Sequence, residues 1–390
     1  MRLAWLTAAG LHIRDDDGCV RTFESAFGQS VRSRHQSIQR RHGWKSQGGS
    51  GPFTSGGLLW GTPEKDPSHL RIAMTSVTTC RGSGQLLYSL DADGLDAVCA
   101  ISLADMSERR LTHGSERKLR FLAASPDGAR IACSVSHRDG TAAIAVMKAD
   151  ASDLAEVTEG DSLDLAPGWV AGSSDVLVYQ SAGIGRDRSG IPLGLGPFAV
   201  QRLDVTRGEI ETVLESESHD FLGPKQAADG TLYAIRRPRA VAGRTPWWRS
   251  ILDFLSIPFR LAWALFQYLN FFTTKYTGKP LTTAGGPKRE GADIRQMMVW
   301  GNLIDAEEAA REAGNDPGEP PSVVPRTWEL IARRGDGSIS TLARGVVSFD
   351  TGDDGSIVYS TGTAIYRRSP SGDKEKLVEA MGIEQVIALG

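Results

Sequence analysis

The chain has 390 residues, with 44 Lys and Arg against 47 Asp and Glu, a formal net charge of −3 and 40% hydrophobic residues. That balance is ordinary for a soluble globular protein and excludes a global attraction to nucleic acid, so any anion-binding surface has to be local. Cys19, Cys80, Cys99 and Cys133 form no CxxC pair and have no histidine at zinc-ligand spacing, which predicts reduced, mostly buried thiols and a cytoplasmic location.

The N-terminal run LAWLTAAGL is too short for a secretory signal and continues into LHIRDDDGCVRTFES, which reads as strand, acidic turn, strand. Strands are expected at Leu3 to Ala8, Leu11 to Arg14 and Cys19 to Phe23, a group that lacks an inner strand. From Ser25 to about His69 the pattern changes. Phe27, Val31 and Ile38 fall on one helical face and Gly43 suits a C-cap, so a short amphipathic helix is predicted. Arg32, Arg34, Arg40, Arg41 and Lys45 follow with no intervening acid. Such a run fits either an anionic contact (lipid headgroups, an acidic partner or nucleic acid) or a solvated helix packed on a rim.

Two units then share one grammar: GSGQLLYSLDADGLDAVCAISLADMSERRLTHG, Gly82 to Gly114, and SPDGARIACSVSHRDGTAAIAVMKADASDLAEVTEG, Ser125 to Gly160. In the second, Pro126-Asp127-Gly128 makes a tight turn, because proline presets φ, Asp bonds nearby backbone and glycine accepts positive φ. Strands are expected at Leu119 to Ala124, Ala129 to Val135, Ala143 to Met147 and from Ala155, with Asp139-Gly140 as a hairpin turn. The turns Asp93-Gly94 and Asp139-Gly140 are 46 residues apart, as are the closing glycines Gly114 and Gly160, which is the period of a propeller blade. Similar starts recur at GSSDVLVYQS, ADGTLYAIRR and DDGSIVYST.

SPDG before an IACS-type strand, with RRLTHG closing a unit, resembles the TolB-like, WD40-like (PD40) repeat over most of the chain outside two insertions. The resemblance implies a β-propeller and a generic protein-interaction role. It implies no catalytic residue, since the Asp and Gly of the motif are turn formers. The final GIEQVIALG is an apolar strand without later partners, and pairing it with the N-terminal strands would complete a blade and close the ring. The expectation is therefore an all-β chain, a single propeller of about six four-stranded blades closed by its terminal strands: blades over 1–237, a mainly helical insertion over 238–325, and the remaining blades over 326–390.

That insertion, expected between the second and third strands of the fifth blade, contains Trp247, Trp248, Phe254, Phe259, Trp263, Phe266, Tyr268, Phe271 and Phe272, with Pro258 dividing two helices. The run from Leu261 to Thr274 is uncharged but too short to span a bilayer. Its aromatics fit interfacial membrane contact, docking in a partner's groove, or self-burial. Farther on, Ile294, Met297, Met298, Gly301 and Ile304 follow helical spacing, with Asp293 and Gln296 as a capping box and Gly314 as the stop.

There is no GxSxG, P-loop, GxGxxG before a helix, or HExxH. Asp91, Asp93 and Asp96, like Asp15, Asp16 and Asp17, read as hairpin turns rather than calcium loops. No catalytic residue, cofactor or metal is assigned. The leading expectation is a non-enzymatic scaffold that binds a protein partner, with the aromatic insert docking it to a membrane surface or to a partner protein and nucleic acid not expected. The alternative is an enzyme or ligand-binding protein with its site at the central channel.

Overall fold

The computed structural model describes residues 1–47, 72–80, 82–92, 94–239, 296–299, 302–305 and 321–389. Two compact units divide the chain, Met1–Pro238 with Arg295–Gly390 and Arg239–Ile294, and every described strand belongs to the first.

The strands form successive antiparallel groups. β1 (Arg2–Thr7), β2 (Gly10–Arg14) and β3 (Val20–Phe23) open the chain. Helix α1 (Ala26–Gln47) precedes a second sheet of β4 (Ile72–Cys80), β5 (Gln85–Ala92), β6 (Leu95–Ser102) and β7 (Glu108–Gly114). A third holds β8 (Lys118–Ala124), β9 (Arg130–Ser136), β10 (Ala142–Lys148) and the short β11 (Ala155–Glu156). The fourth holds β12 (Ser162–Trp169), β13 (Val176–Arg186), then β14 (Pro192–Leu195) folded back on the far end of β13, then β15 (Ala199–Asp204) and β16 (Glu209–Leu214). One parallel pair, Ala142 with Leu163, links the third sheet to the fourth.

The fifth sheet starts with β17 (His219–Gln226) and β18 (Leu232–Pro238). After a separate hairpin, β19 (Gln296–Val299) with β20 (Asn302–Asp305), it resumes with β21 (Glu329–Arg333) and β22 (Ile339–Arg344). β23 (Ser348–Thr351), β24 (Ile357–Ser360), β25 (Ala364–Arg368) and β26 (Lys374–Glu379) make the sixth. Last, β27 (Ile383–Leu389) pairs antiparallel with β1, from Arg2 opposite Leu389 to Thr7 opposite Ile383, and gives the first sheet its fourth strand.

Middle strands such as QLLYSLDA and RIACSVS are nearly continuous apolar runs because both faces of each sheet are covered. Side chains alternate between two cores. Leu86, Tyr88 and Leu90 of β5 meet Leu6, Leu11, Ile13 and Phe23 of the first sheet, while Leu87 meets Leu119, Ile131 and Cys133 of the third. The same division recurs at the other junctions, for example Trp169 and Tyr179 against Ile144, and Leu3 and Trp5 against Val358 and Ile365. Each fully buried Leu or Ile contributes about 1.5–3 kcal/mol, so stability is spread over many junctions.

The first strands of the sheets, β27, β4, β8, β12, β17 and β23, touch one another in that cyclic order. They run the same way. Ser76 and Thr78 of β4 accept the amides of Leu122 and Ala124 of β8, and Ser348 and Asp350 of β23 accept those of Val386 and Ala388 of β27, equal steps that only parallel strands give. Every junction carries such a tie. Gln385 bonds both backbone groups of Val77, the Trp169 indole donates to the Ala123 carbonyl, Gln180 accepts the Gly223 amide, and Lys225 pairs with Asp350.

Register slips at a similar place in several first strands: Met74/Ser76, Arg120/Ala123, Leu165/Gly168 and Leu222/Lys225. Within three of these bulges Phe121, Ala166 and Gly223 take φ of 54°, 52° and 57°, a left-handed conformation that only glycine adopts without cost.

Two expectations are corrected. The stretch around Met297 and Met298 is a hairpin with Met297 opposite Ile304, and not the helix that spacing suggested. Periodicity over a few apolar residues does not separate the two, and β-branched Val299 favours a strand. Gly43 does not end α1, which continues to Gln47. Of the first apolar face, Phe27 and Val31 pack against the core, whereas Ile38 is exposed. The supposed inner, middle and terminal strands of the repeat lie within a residue or two of their expected positions.

Candidate functional site

Because the first strands are parallel, the sheets have a leading end, where those strands begin, and a trailing end, where they finish. The longest departures from the repeat occur at the leading end. Pro238, opposite His219 at the start of β17, is where the chain leaves the fifth sheet, and Glu329, opposite Arg236, is where it returns. β13 runs past the level of Ser162, the start of β12, and turns back as β14 beyond that end.

Helix α1 is anchored by a polar node. Ser25 caps it through the Gly28 amide at 2.9 Å, and no acid lies in its own first turn. Glu108 of β7 supplies the missing charge, accepting from the Ala26 amide at 2.6 Å, the Ser25 hydroxyl at 2.8 Å and the Phe27 amide at 3.2 Å. The buried Tyr88 hydroxyl donates to the same carboxylate, and burial pushes its pKa up. Gly28 then sits against Ile72 and Leu90, near the leading end, so the helix runs toward that end. Beyond Val31 it leaves the core with Arg32, Arg34 and Arg41 exposed.

The β13–β14 tip is held firmly. Arg186 bonds Asp161 at 2.7 Å and the carbonyls of Gly190 and Asp139 at 3.0 and 3.3 Å, and Asp187 accepts the amides of Ser189 and Ile191. Yet Ile191 is 59% exposed and Leu193 73%, with Leu195 and, in the turn into β27, Met381 also exposed. The sequence signal is an apolar alternation between glycines, IPLGLG.

Charged groups near the first strands are committed to one another. Arg120 bridges Asp91 at 2.7 Å and Asp96 at 2.8 Å, and burial raises the Asp96 carboxyl despite that partner. Arg237 pairs with Asp220 at 2.7 Å and lies over the Trp328 ring, and Asp164 accepts from Ser181 at 2.6 Å. Asp15 pairs with Arg21, Asp16 with the terminal ammonium, and Asp17 accepts the Cys19 amide, which is turn chemistry. Cys99 and Cys133 are buried, with thiol pKa values pushed up to about 12 by burial, whereas Cys80 is half-buried and Cys19 exposed.

Of the residues singled out in the sequence, Arg32, Arg34 and Arg41 share the exposed part of α1, and Arg40 and Lys45 lie in the same helix. The side chains of the last two, and all of Trp247, Trp248, Phe254, Phe259, Trp263, Phe266, Tyr268, Phe271 and Phe272, lie outside the described residues.

No protein family and no curated protein matches the chain. Among solved structures it is similar to TolB from Acinetobacter baumannii, at 12% identity and a TM-score of 0.52, with 99% of this chain aligned to 65% of that one. The chain thus spans about two thirds of that TolB's length. It is similar also to a chain of the nidogen/laminin complex, at 5% identity and a TM-score of 0.51, covering 99% of this chain and 97% of that one. The likeness is one of fold: the chain has a β-propeller fold similar to that of TolB.

Proposed function

We propose that the protein is a non-enzymatic scaffold, a ring of six blades closed by β27 and β1, that presents a surface to a protein partner and docks through its aromatic segment to a membrane surface or a second protein. The observation that carries this reading is the consumption of charge near the first strands. Arg120, Asp96, Asp220, Arg237, Lys225 and Asp350 each hold a structural partner, so their free energy goes into joining sheets rather than into a poised acid, base or nucleophile. That a chain of the nidogen/laminin complex shares this fold agrees with a binding role. Its free thiols suit a cytoplasmic setting, peripheral to a membrane.

Two measurements test the reading. Chemical cross-linking in extract, with wild type beside a Trp263→Asp, Phe266→Asp variant, is expected to yield a defined partner adduct that the variant loses; flotation with vesicles is expected to fall in the same variant if lipid is the surface. Unchanged adducts and unchanged flotation, in a variant with wild-type circular dichroism, would remove the aromatic segment from the function.

A further inference from the structure

We propose that the leading end of the propeller is a docking face for an anionic bilayer surface, with the distal part of α1 as its electrostatic contact and the β13–β14 tip and Met381 as its apolar contacts. The inference deepens the docking role proposed above and rests on it. What it adds is a face, a lipid charge and a set of residues that are independent of the aromatic segment.

Three observations carry it. First, α1 holds no Asp or Glu between Ala26 and Gln47, and Arg32, Arg34 and Arg41 are exposed on a helix anchored to the propeller by Glu108 and aimed past the leading end. On a chain of net charge −3 this is local positive charge, the arrangement that an anionic leaflet attracts within a Debye length. Second, exposed large apolar side chains project beyond the sheets at this end: Ile191, Leu193 and Leu195 on the braced hairpin, Met381 in the turn into β27, and Ile38 on α1. The other large apolar residues exposed among those described, Val20, Ile210 and Ile339, lie within the outermost strands β3, β16 and β22, near the trailing end.

Third, the leading-end residues are dispersed over different sheets. A protein hot spot is a contiguous, desolvated cluster, whereas a planar bilayer accepts scattered apolar tips and basic side chains that meet one plane. The bracing of Arg186 and Asp187 means that Leu193 is presented without an ordering cost at the moment of contact.

The full chain is tested by flotation with vesicles of phosphatidylcholine alone and of phosphatidylcholine with about 30 mol% phosphatidylserine. Wild type is expected to favour the anionic vesicles and to weaken as salt rises. An Arg32→Glu, Arg34→Glu, Arg41→Glu variant should lose at least tenfold in partition, and Leu193→Asp several-fold, on an unchanged circular dichroism spectrum, since all four side chains are exposed and outside the core. Equal partition of wild type into both vesicles, or no partition at all, overturns the proposal. So does wild-type behaviour of the charge-reversed variant. Loss of flotation on Trp263→Asp with Phe266→Asp while the leading-end variants bind normally refutes this face and keeps the docking role. Capture of an acidic protein without vesicle binding assigns the face to a protein instead.

Discussion

Replacing Glu108 with Ala tests how α1 is held to the propeller. The carboxylate accepts from the Ala26 amide, the Ser25 hydroxyl, the Phe27 amide and Tyr88. In the variant the Tyr88 hydroxyl keeps Ser25 at 2.8 Å and the exposed Ala26 amide turns to water. The part-buried Phe27 amide loses its acceptor, and the helix N-terminus loses the carboxylate that its first amides bond. A hydrogen bond to a charged group contributes about 1.5–3 kcal/mol and a charge at a helix terminus about 0.3–1 kcal/mol, so Glu108→Ala should cost about 3 kcal/mol. Glu108→Gln keeps the shape and one acceptor oxygen and should cost about 1–2 kcal/mol. Urea unfolding reads both through the midpoint. Amide exchange separates the mechanism from general damage, because Phe27 to Val31 should lose protection before the sheets do. A loss below about 1 kcal/mol for Glu108→Ala, or exchange in α1 unchanged, would refute the node as the anchor.

Further outcomes follow from the strands. Ala166→Gly should stabilise by up to about 1 kcal/mol in thermal or urea melts, because Ala166 sits at φ 52° in a first-strand bulge. Gly362→Ala should destabilise by about 2–4 kcal/mol, since its φ is 83° and a Cβ there would lie 2.2 Å from the Val323 Cγ2. In a double-mutant cycle, Lys225→Met and Asp350→Asn should each weaken the fold and show a coupling above about 0.5 kcal/mol, and additivity would deny that this pair ties the fifth sheet to the sixth. His12 has its pKa lowered by burial and both ring nitrogens bonded to threonine hydroxyls. The unfolded imidazole takes up a proton below about 6.5 while the folded one resists. Its contribution is therefore complete above that pH and lost as pH falls toward the folded value, and His12→Gln should flatten the decline in stability between about pH 7 and 5.

The repeat was legible in the sequence because its signals are local. Pro126-Asp127-Gly128 and Asp139-Gly140 need particular φ values, and Gly128 and Gly140 take φ of 69° and 90°. Runs such as LLYSL and IACSV report strands covered on both faces. The unpartnered GIEQVIALG and the incomplete N-terminal group together implied the β27–β1 pairing, since each lacked what the other offered. Local patterning also misled. Helical spacing around Met297 gave way to a hairpin, and Gly43 proved no stop, because nothing in a window of ten residues says whether a neighbouring chain will pair with it.

What only the tertiary structure decided is which distant groups meet. Glu108 caps a helix that begins more than eighty positions earlier, Arg120 joins Asp91 to Asp96, and Gln385 reaches Val77 across the terminal junction. Their placement depends on the order and direction of the first strands, a property of how the sheets are arranged and not of any one repeat. The same holds for the surface: IPLGLG and Met381 are unremarkable one at a time, and only the direction of the first strands puts β14 and the turn into β27 at the same end of the sheets, which is what the proposed docking face rests on.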